Sequence, residues 1–184
     1  SCQSVSEQFA GEQHSVLPFS TGVIGESLAV QKITNVMPAL ADSLSEAAWD
    51  EAARAIMTTD TVPKIGSCEL EIDGQSVVLT GIAKGAGMIK PNMATMLSYI
   101  FTDARLTQST LDRLLREQVA RSFNRITVDG DTSTNDCCLL SATGYSAAPV
   151  EAEILIIDNE FPVISIAAVD AVAMEEEEND GDNR

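Results

Sequence analysis

A threonine near the middle of the chain stands in a setting that suits a nucleophile. The segment KGAGMIKPNMATML, residues 84–97, places Thr95 directly after Ala94 and just downstream of a Pro91-Asn92 turn. A threonine at a free N-terminus can use its own α-amine as the base, so it needs no histidine, but the peptide bond before it must first be cut. The small side chain of Ala94 leaves its carbonyl open to attack. Thr95 is therefore a candidate nucleophile; the alternative is a buried threonine at the start of a strand.

Residues upstream of this threonine could support such a cut. An oxyanion that forms at the attacked carbonyl needs hydrogen-bond donors close by. Lys84 could supply positive charge, and the flexible Gly85 and Gly87 could bring backbone amides near the reacting atoms. The same glycines match neither GxGxxG nor GxxxxGK[ST], so a phosphate-binding loop is a poor interpretation.

Other common catalytic and metal-binding patterns are poorly matched. The single histidine, His14, lies in a polar stretch, which leaves a Ser-His-Asp triad or a Cys-His pair weakly supported. The four cysteines show no CxxC spacing, which argues against zinc and favours reduced thiols. The acidic loop DGDTSTND, residues 129–136, lacks the EF-hand spacing and can equally be a cluster of turn and cap residues. We expect no metal and no cofactor.

Charge and hydropathy limit the partners. The formal net charge is −17, and residues 151–184 carry eleven acidic side chains against one basic side chain. This balance argues against nucleic acid and against anionic membranes. The sequence has no apolar run long enough to span a bilayer and no signal-peptide pattern at its N-terminus, so we expect a cytoplasmic protein. The acidic residues 174–184 are expected to form a disordered tail.

Helices and hairpins alternate along the chain, which predicts an α+β or layered α/β domain. Residues 43–57 read as an amphipathic helix that begins with a Ser43–Glu46 capping box, and residues 109–125 read as a second helix. Alternating apolar residues on both sides of Asp73-Gly74 predict a β-hairpin. Further strands are predicted at 96–102, 126–128, 137–142 and 154–157.

Four segments, in this order, resemble the self-cleaving ornithine acetyltransferase family, the bifunctional glutamate N-acetyltransferase and amino-acid acetyltransferase of arginine biosynthesis. They are LPFSTGVIGESL at 17–28, AAWDEAARAIMTTDTVPK at 47–64, KGAGMIKPNMATML at 84–97 and RITVDGDTSTND at 125–136. The resemblance implies an αββα sandwich and autocatalytic cleavage between Ala94 and Thr95. It also implies a partial acetyltransferase domain over residues 1–173, whose α-chain part after self-cleavage is 1–94 and whose β-chain part is 95–173. The two chains would associate as an α2β2 heterotetramer.

The resemblance also implies a reaction and a set of site residues. Thr95 would take the acetyl group from N-acetylornithine, contact the substrate and pass the acetyl group to glutamate; some family members also accept acetyl-CoA. Thr21 and Gly22 would form the oxyanion hole, and Thr58 and Lys84 would contact the substrate.

Two features depart from the family pattern. Family members have a substantial portion before the STG motif and a DGEGATK-like motif later, whereas here the nearest trace is Asp180-Gly181-Asp182, with Asp182 in place of the family's glutamate. We therefore expect an internal fragment or a truncated member. Two alternatives stay open: a self-cleaving aminopeptidase or amidohydrolase with an N-terminal threonine, and an inactive truncated fragment.

Overall fold

The computed structural model describes residues 1–19, 23, 25–72, 74–89, 96–131 and 136–146. The chain divides into two units, Ser1–Ala48 and Trp49–Arg184. Among the described residues no helix has the length and apolar character needed to cross a membrane. The predicted strand at 154–157, the predicted tail at 174–184 and five of the predicted site residues lie outside the described residues; those five are Thr21, Gly22, Ala94, Thr95 and Asp182.

The first unit is helical. Helix α1 spans Cys2–Gln8 and packs against α2, which spans Val30–Asp42, while a short 3₁₀ turn covers Gln13–Ser15. Helix α2 was not predicted, and Pro38 lies inside it. The proline interrupts the pattern that marks a helix in a sequence, although the chain continues the helix for four more residues.

The helix predicted over residues 43–57 begins six residues later than predicted. Ser43 is the residue that ends α2, where its hydroxyl donates to the Leu40 carbonyl at 2.8 Å. It therefore satisfies the last turn of one helix and does not open the next, and the predicted capping box with Glu46 does not form. Helix α3 begins only at Trp49 and runs over Trp49–Ala55.

The second unit is built on a mixed four-stranded sheet in the order β1-β2-β3-β4. The strands span Lys64–Ile72, Gln75–Lys84, Leu97–Thr102 and Cys137–Ala142. The first three are antiparallel, and β4 runs parallel to β3, to which helix α4, Gln108–Arg121, connects it. Four α-helices and four strands in the described part of the chain confirm the α+β class.

Local chemistry explains most of these elements. The hairpin turns at Gly74, whose φ of +74° favours glycine, and Ile72 pairs with Gln75. Thr107 caps α4 by accepting the Thr110 amide, and the predicted helix end at 125 is instead a 3₁₀ turn, Phe123–Arg125. The predicted strand at 126–128 is also wrong, since Val128 forms only an isolated bridge with Ile89.

Two apolar clusters fill the space between the sheet and α4. One lies near the hairpin turn and contains Ile72, Val77, Ala104 and Leu114; the other contains Ala83, Met96 and Phe123. On the opposite face of the sheet, the ring of Trp49 in α3 lies 5.5 Å from that of Phe101. Both faces of the sheet are therefore covered by a helix.

Candidate active site

Described residues of three segments that the resemblance marks as functional, those at 47–64, 84–97 and 125–136, lie at or beside one end of the sheet. The register pairs Lys64 with Ala83, Lys84 with Leu97, and Leu97 with Cys137. The start of β1, the end of β2 and the starts of β3 and β4 therefore lie side by side. We call this the open end of the β1–β2 hairpin, and the end at Gly74 the turn end.

Two of the predicted substrate-binding residues contact each other at the open end. Lys84 is the last residue of β2 and is 6% exposed, and its Nζ donates to the Oγ1 of Thr58 at 3.1 Å. Thr58 precedes β1 in the sequence by six residues and is itself exposed. The pair therefore joins an exposed residue to a buried ammonium group.

The environment of Lys84 lowers the pKa of its ammonium group. Burial is the main cause, because removing the charged form from water is unfavourable. The nearby ammonium of Lys64 adds to the decrease, whereas the carboxylate of Asp60 acts against it. Lys84 therefore has an environment in which an additional anionic partner would be favourable.

A carboxylate that the sequence analysis did not single out lies behind this pair. The side chain of Asp60 is 0% exposed, and its Oδ1 accepts from Lys64 Nζ at 2.5 Å and from the Gly85 amide at 2.6 Å. Its Oδ2 accepts from the Thr58 amide at 3.2 Å. Burial raises the pKa of Asp60, but the hydrogen bonds from Gly85, Lys64 and Thr58 outweigh it and hold that pKa below its usual value.

These contacts change the interpretation of Gly85. Its flexibility was expected to bring a backbone amide near a reacting carbonyl, and its φ is indeed +145°. The amide, however, donates to Asp60. A sequence signal for this arrangement exists in the spacing of TTDTVPK, where an aspartate stands two residues after Thr58 and four before Lys64.

A second carboxylate holds the segment that leads toward residues 90–95. Asp129 has a φ of +59°, and its Oδ2 accepts from the Met88 amide at 2.5 Å. A side chain at Gly87 would meet the same oxygen at 3.3 Å. Next to this contact Ile89 and Val128 exchange two backbone hydrogen bonds, at 3.1 and 2.7 Å. The DGDTSTND segment therefore begins with a residue that fixes residues 87–89.

Met96 lies directly before β3 and is the first residue after 90–95 that the structure describes. Met96 is 5% exposed, and its carbonyl accepts from the Cys137 amide at 3.0 Å, directly before β3 begins. The residue bonded to the amide of Met96 is Thr95. The described residues thus bring Thr58, Lys84 and the chain segment adjoining Thr95 to the same end of the sheet.

An apolar cavity of about 220 Å³ lies beside the start of β4, and its walls include Met96, Val119, Phe123, Cys137 and Cys138. Burial raises the pKa of the Cys138 thiol to about 11, and the nearby Cys137 adds to this increase. Cys138 is therefore protonated at neutral pH and is a poor nucleophile. Within the described ranges, no group of three His, Cys, Asp or Glu side chains could hold a metal ion.

Comparison with known proteins places this geometry in context. The model of the ArgJ family matches residues 1–173. The chain is 53% identical over 148 residues to the arginine biosynthesis bifunctional protein ArgJ of Pseudomonas syringae pv. tomato, covering 80% of this chain and 36% of that protein.

Two further relatives carry the same name. The protein of Pseudomonas fluorescens is 58% identical over 134 residues, covering 73% of this chain and 33% of the relative. That of Methylococcus capsulatus is 55% identical over 150 residues, covering 82% of this chain and 37% of the relative. The chain thus spans about a third of the length of the curated relatives that it matches.

Proposed function

Since the chain belongs to the ArgJ family, we propose that it acts in arginine biosynthesis as a self-cleaving acetyltransferase. The acetyl donor is N-acetylornithine, the acceptor is glutamate, and acetyl-CoA is an alternative donor. The proposal includes a cytoplasmic location, an αββα sandwich as the complete fold, a domain over residues 1–173 followed by an acidic tail, and an α2β2 assembly. It requires no cofactor.

The first proposed step cuts the chain. The hydroxyl of Thr95 attacks the carbonyl carbon of Ala94, and the acyl group moves from the Thr95 nitrogen to its oxygen. Water then hydrolyses the resulting ester. The products are an α chain that ends in the carboxylate of Ala94 and a β chain that begins with the free amine of Thr95.

The second step transfers the acetyl group. The amine of Thr95 accepts the proton of its own hydroxyl, and the oxygen attacks the acetyl carbonyl of N-acetylornithine. Thr21 and Gly22 stabilise the tetrahedral oxyanion, the leaving amine takes a proton, and ornithine departs. The amine of glutamate then attacks the acetyl-threonine ester, which regenerates the hydroxyl and releases N-acetylglutamate.

One observation carries this proposal: the contact of Thr58 with Lys84 at the open end, beside the segment that begins at Met96. An amino-acid substrate presents a carboxylate, and a buried ammonium group is a suitable partner for it. Thr58 is an exposed residue, so its hydroxyl can exchange its hydrogen bond with Lys84 for one with the substrate. In this arrangement Thr58 and Lys84 hold the substrate while Thr95 performs the chemistry. Asp182 is proposed as a weaker additional contact.

A mass spectrum of the freshly purified protein tests the cleavage step. We expect two fragments that separate between Ala94 and Thr95, and the Thr95→Ala variant should stay in one piece. Thr34→Ala is the matched control, since Thr34 lies on α2 and its hydroxyl bonds only within that helix, to the Gln31 carbonyl at 3.2 Å. An uncut wild-type chain at neutral pH, or a cut Thr95→Ala chain, would contradict the assigned nucleophile.

The transfer step has a separate test. Incubation with N-acetylornithine, with and without glutamate, shows where the acetyl group goes. We expect N-acetylglutamate to form and ornithine release to depend on glutamate. Ornithine release at the same rate without glutamate would indicate transfer to water, which is the hydrolase alternative.

A further inference from the structure

We infer that Asp60 is a positioning residue, which holds Thr58 and Lys84 in the arrangement that receives the substrate. The inference rests on the proposed function of the open end. It concerns a side chain that does not itself reach solvent, since the Asp60 carboxylate is 0% exposed. Asp60 must therefore act through its neighbours.

The hydrogen bonds of Asp60 fix both halves of the substrate-holding pair. Its Oδ2 accepts the amide of Thr58 itself, at 3.2 Å, and its Oδ1 accepts the amide of Gly85, the residue after Lys84, at 2.6 Å. The two backbone segments are 25 residues apart in the sequence. A single carboxylate therefore sets the distance between the backbone of Thr58 and the end of β2.

The charges at the open end support the same role. Asp60 is matched by Lys64 at 2.5 Å, whereas Lys84 donates to the neutral hydroxyl of Thr58. These three ionised side chains together carry one net positive charge. A substrate carboxylate would balance that charge, and loss of the Asp60 carboxylate would leave two buried ammonium groups near each other.

An amide cannot replace this carboxylate. The three donors use both oxygens of Asp60, whereas an asparagine offers one acceptor oxygen and a donor group in the other position. In Asp60→Asn the side-chain NH2 group would therefore face at least one of these three donors. Asp60→Glu retains the charge and both oxygens on a side chain that is longer by one methylene group.

The test compares Asp60→Asn, Asp60→Glu and a matched control in the protein. The control is Asp50→Asn, which removes a carboxylate four residues before an arginine, Arg54, on the surface of α3. Steady-state kinetics with N-acetylornithine should give a KM about tenfold or more above wild type for Asp60→Asn, because charge-assisted contacts of the substrate are misplaced. We expect a smaller change in kcat, partial recovery in Asp60→Glu, and wild-type values for Asp50→Asn.

A second readout does not depend on activity. The Cε carbon of Lys84 can be followed by NMR while the pH is varied. The Asp60 carboxylate raises the pKa of Lys84 against the effects of burial and of Lys64, so Asp60→Asn should lower that pKa further. Asp60→Glu should leave it close to wild type, and Asp50→Asn should leave it unchanged.

The outcomes test the positioning role of Asp60 separately from the proposed acetyltransferase function. A wild-type KM and an unchanged Lys84 titration in folded Asp60→Asn would overturn the positioning role, even if the variant melts at a lower temperature. If Asp60→Asn does not fold, Asp60→Glu decides: a raised KM with kcat retained supports the role, and wild-type kinetics oppose it. A wild-type protein that transfers no acetyl group contradicts the proposed function, while the Lys84 titration still tests the link to Asp60.

Discussion

The two ends of the β1–β2 hairpin bury very different side chains. At the turn end Ile72 and Val77, 2% and 0% exposed, pack with Leu114 of α4 in an apolar cluster. At the open end of the same two strands the buried side chains include Lys64 and Lys84, at 1% and 6% exposure, and the carboxylate of Asp60 interacts with both.

The two ends are therefore held together by different interactions. Apolar burial stabilises the folded chain by removing surface from water, so the turn end is what a sheet packed under a helix needs. Buried charges require desolvation and are stabilising only when they are well matched. A sheet has no structural need for two buried lysines at its end, and their presence there favours a binding role.

The largest expected effect on stability comes from removing the ion pair of Asp60 and Lys64 at the open end. Asp60→Ala would remove the carboxylate that the buried Lys64 contacts at 2.5 Å, and loss of one partner of a buried pair costs about 3–5 kcal/mol. Denaturant unfolding measures this difference. The double variant Asp60→Leu with Lys64→Met should recover only the part of the loss that comes from the ion pair, because the amides of Thr58 and Gly85 still lose their acceptor. If the free energy of unfolding of Asp60→Ala lies within about 1 kcal/mol of wild type, Asp60 and Lys64 do not form a stabilising buried ion pair.

Acidification should remove part of the same contribution. The folded-state pKa of Asp60 lies below its unfolded value, so its contribution is fully present above the unfolded pKa and disappears as the pH falls through the folded pKa. The stability difference between wild type and Asp60→Asn should therefore shrink as the pH falls from about 5 to below about 3. A difference that is constant over this range would contradict the assignment.

A rise in pH should increase the contribution of Lys84 to stability, whereas a fall in pH decreases that of Asp60. Its folded-state pKa is lowered by burial, so in the range between that pKa and 10.5 the unfolded chain binds more protons. The contribution of Lys84 to stability therefore increases as the pH rises through this range. Comparison with Lys84→Met, which cannot titrate, isolates this contribution.

A third variant examines the segment that leads to the cleavage site. The two oxygens of Asp129 accept the amides of Met88 and Asp131, and Asp129→Asn leaves one acceptor oxygen for both, which should loosen the position of residues 87–89. We expect self-cleavage to slow by about tenfold, since a misplaced scissile segment reaches the reactive geometry less often. Mass spectra taken over time measure the rate. Asp131→Asn, on the adjacent exposed carboxylate, is the control, and equal rates for the two variants would contradict the role of Asp129.

The smallest effect should come from the turn end. Ile72→Val removes one methylene group from the apolar cluster and should cost about 1 kcal/mol. The KM for N-acetylornithine and the cleavage rate should stay at wild-type values, because the affected contacts lie at the other end of the hairpin. A change in KM comparable to that of Asp60→Asn would show that the two ends do not have separate roles.

The elements that the sequence predicts well are those with local signals. The hairpin follows from alternating apolar residues around Gly74, and β4 begins and ends where its apolar run predicts. Helix α2 has no clear sequence signal because Pro38 interrupts the pattern that predicts a helix. Ser43 led to a wrong helix start because a serine hydroxyl can cap the end of one helix or the start of another.

The candidate site was predictable only in part. Thr58 and Lys84 were identified through the family resemblance, and the structure brings them into contact. Asp60 was given no role because its partners include Gly85, 25 residues away, and hydrogen bonds between loop residues that are distant in the sequence leave no periodic pattern. The same holds for Asp129 and Met88, which are 41 residues apart.

The most direct test of the account is to trap the acetyl group on the protein. The purified protein is incubated with N-acetylornithine alone, digested, and analysed by mass spectrometry. We predict that the peptide that begins at Thr95 gains the mass of one acetyl group and loses it when glutamate is added. A chain that remains uncut between Ala94 and Thr95, or a Thr95 peptide that never carries acetyl, would contradict the central claim.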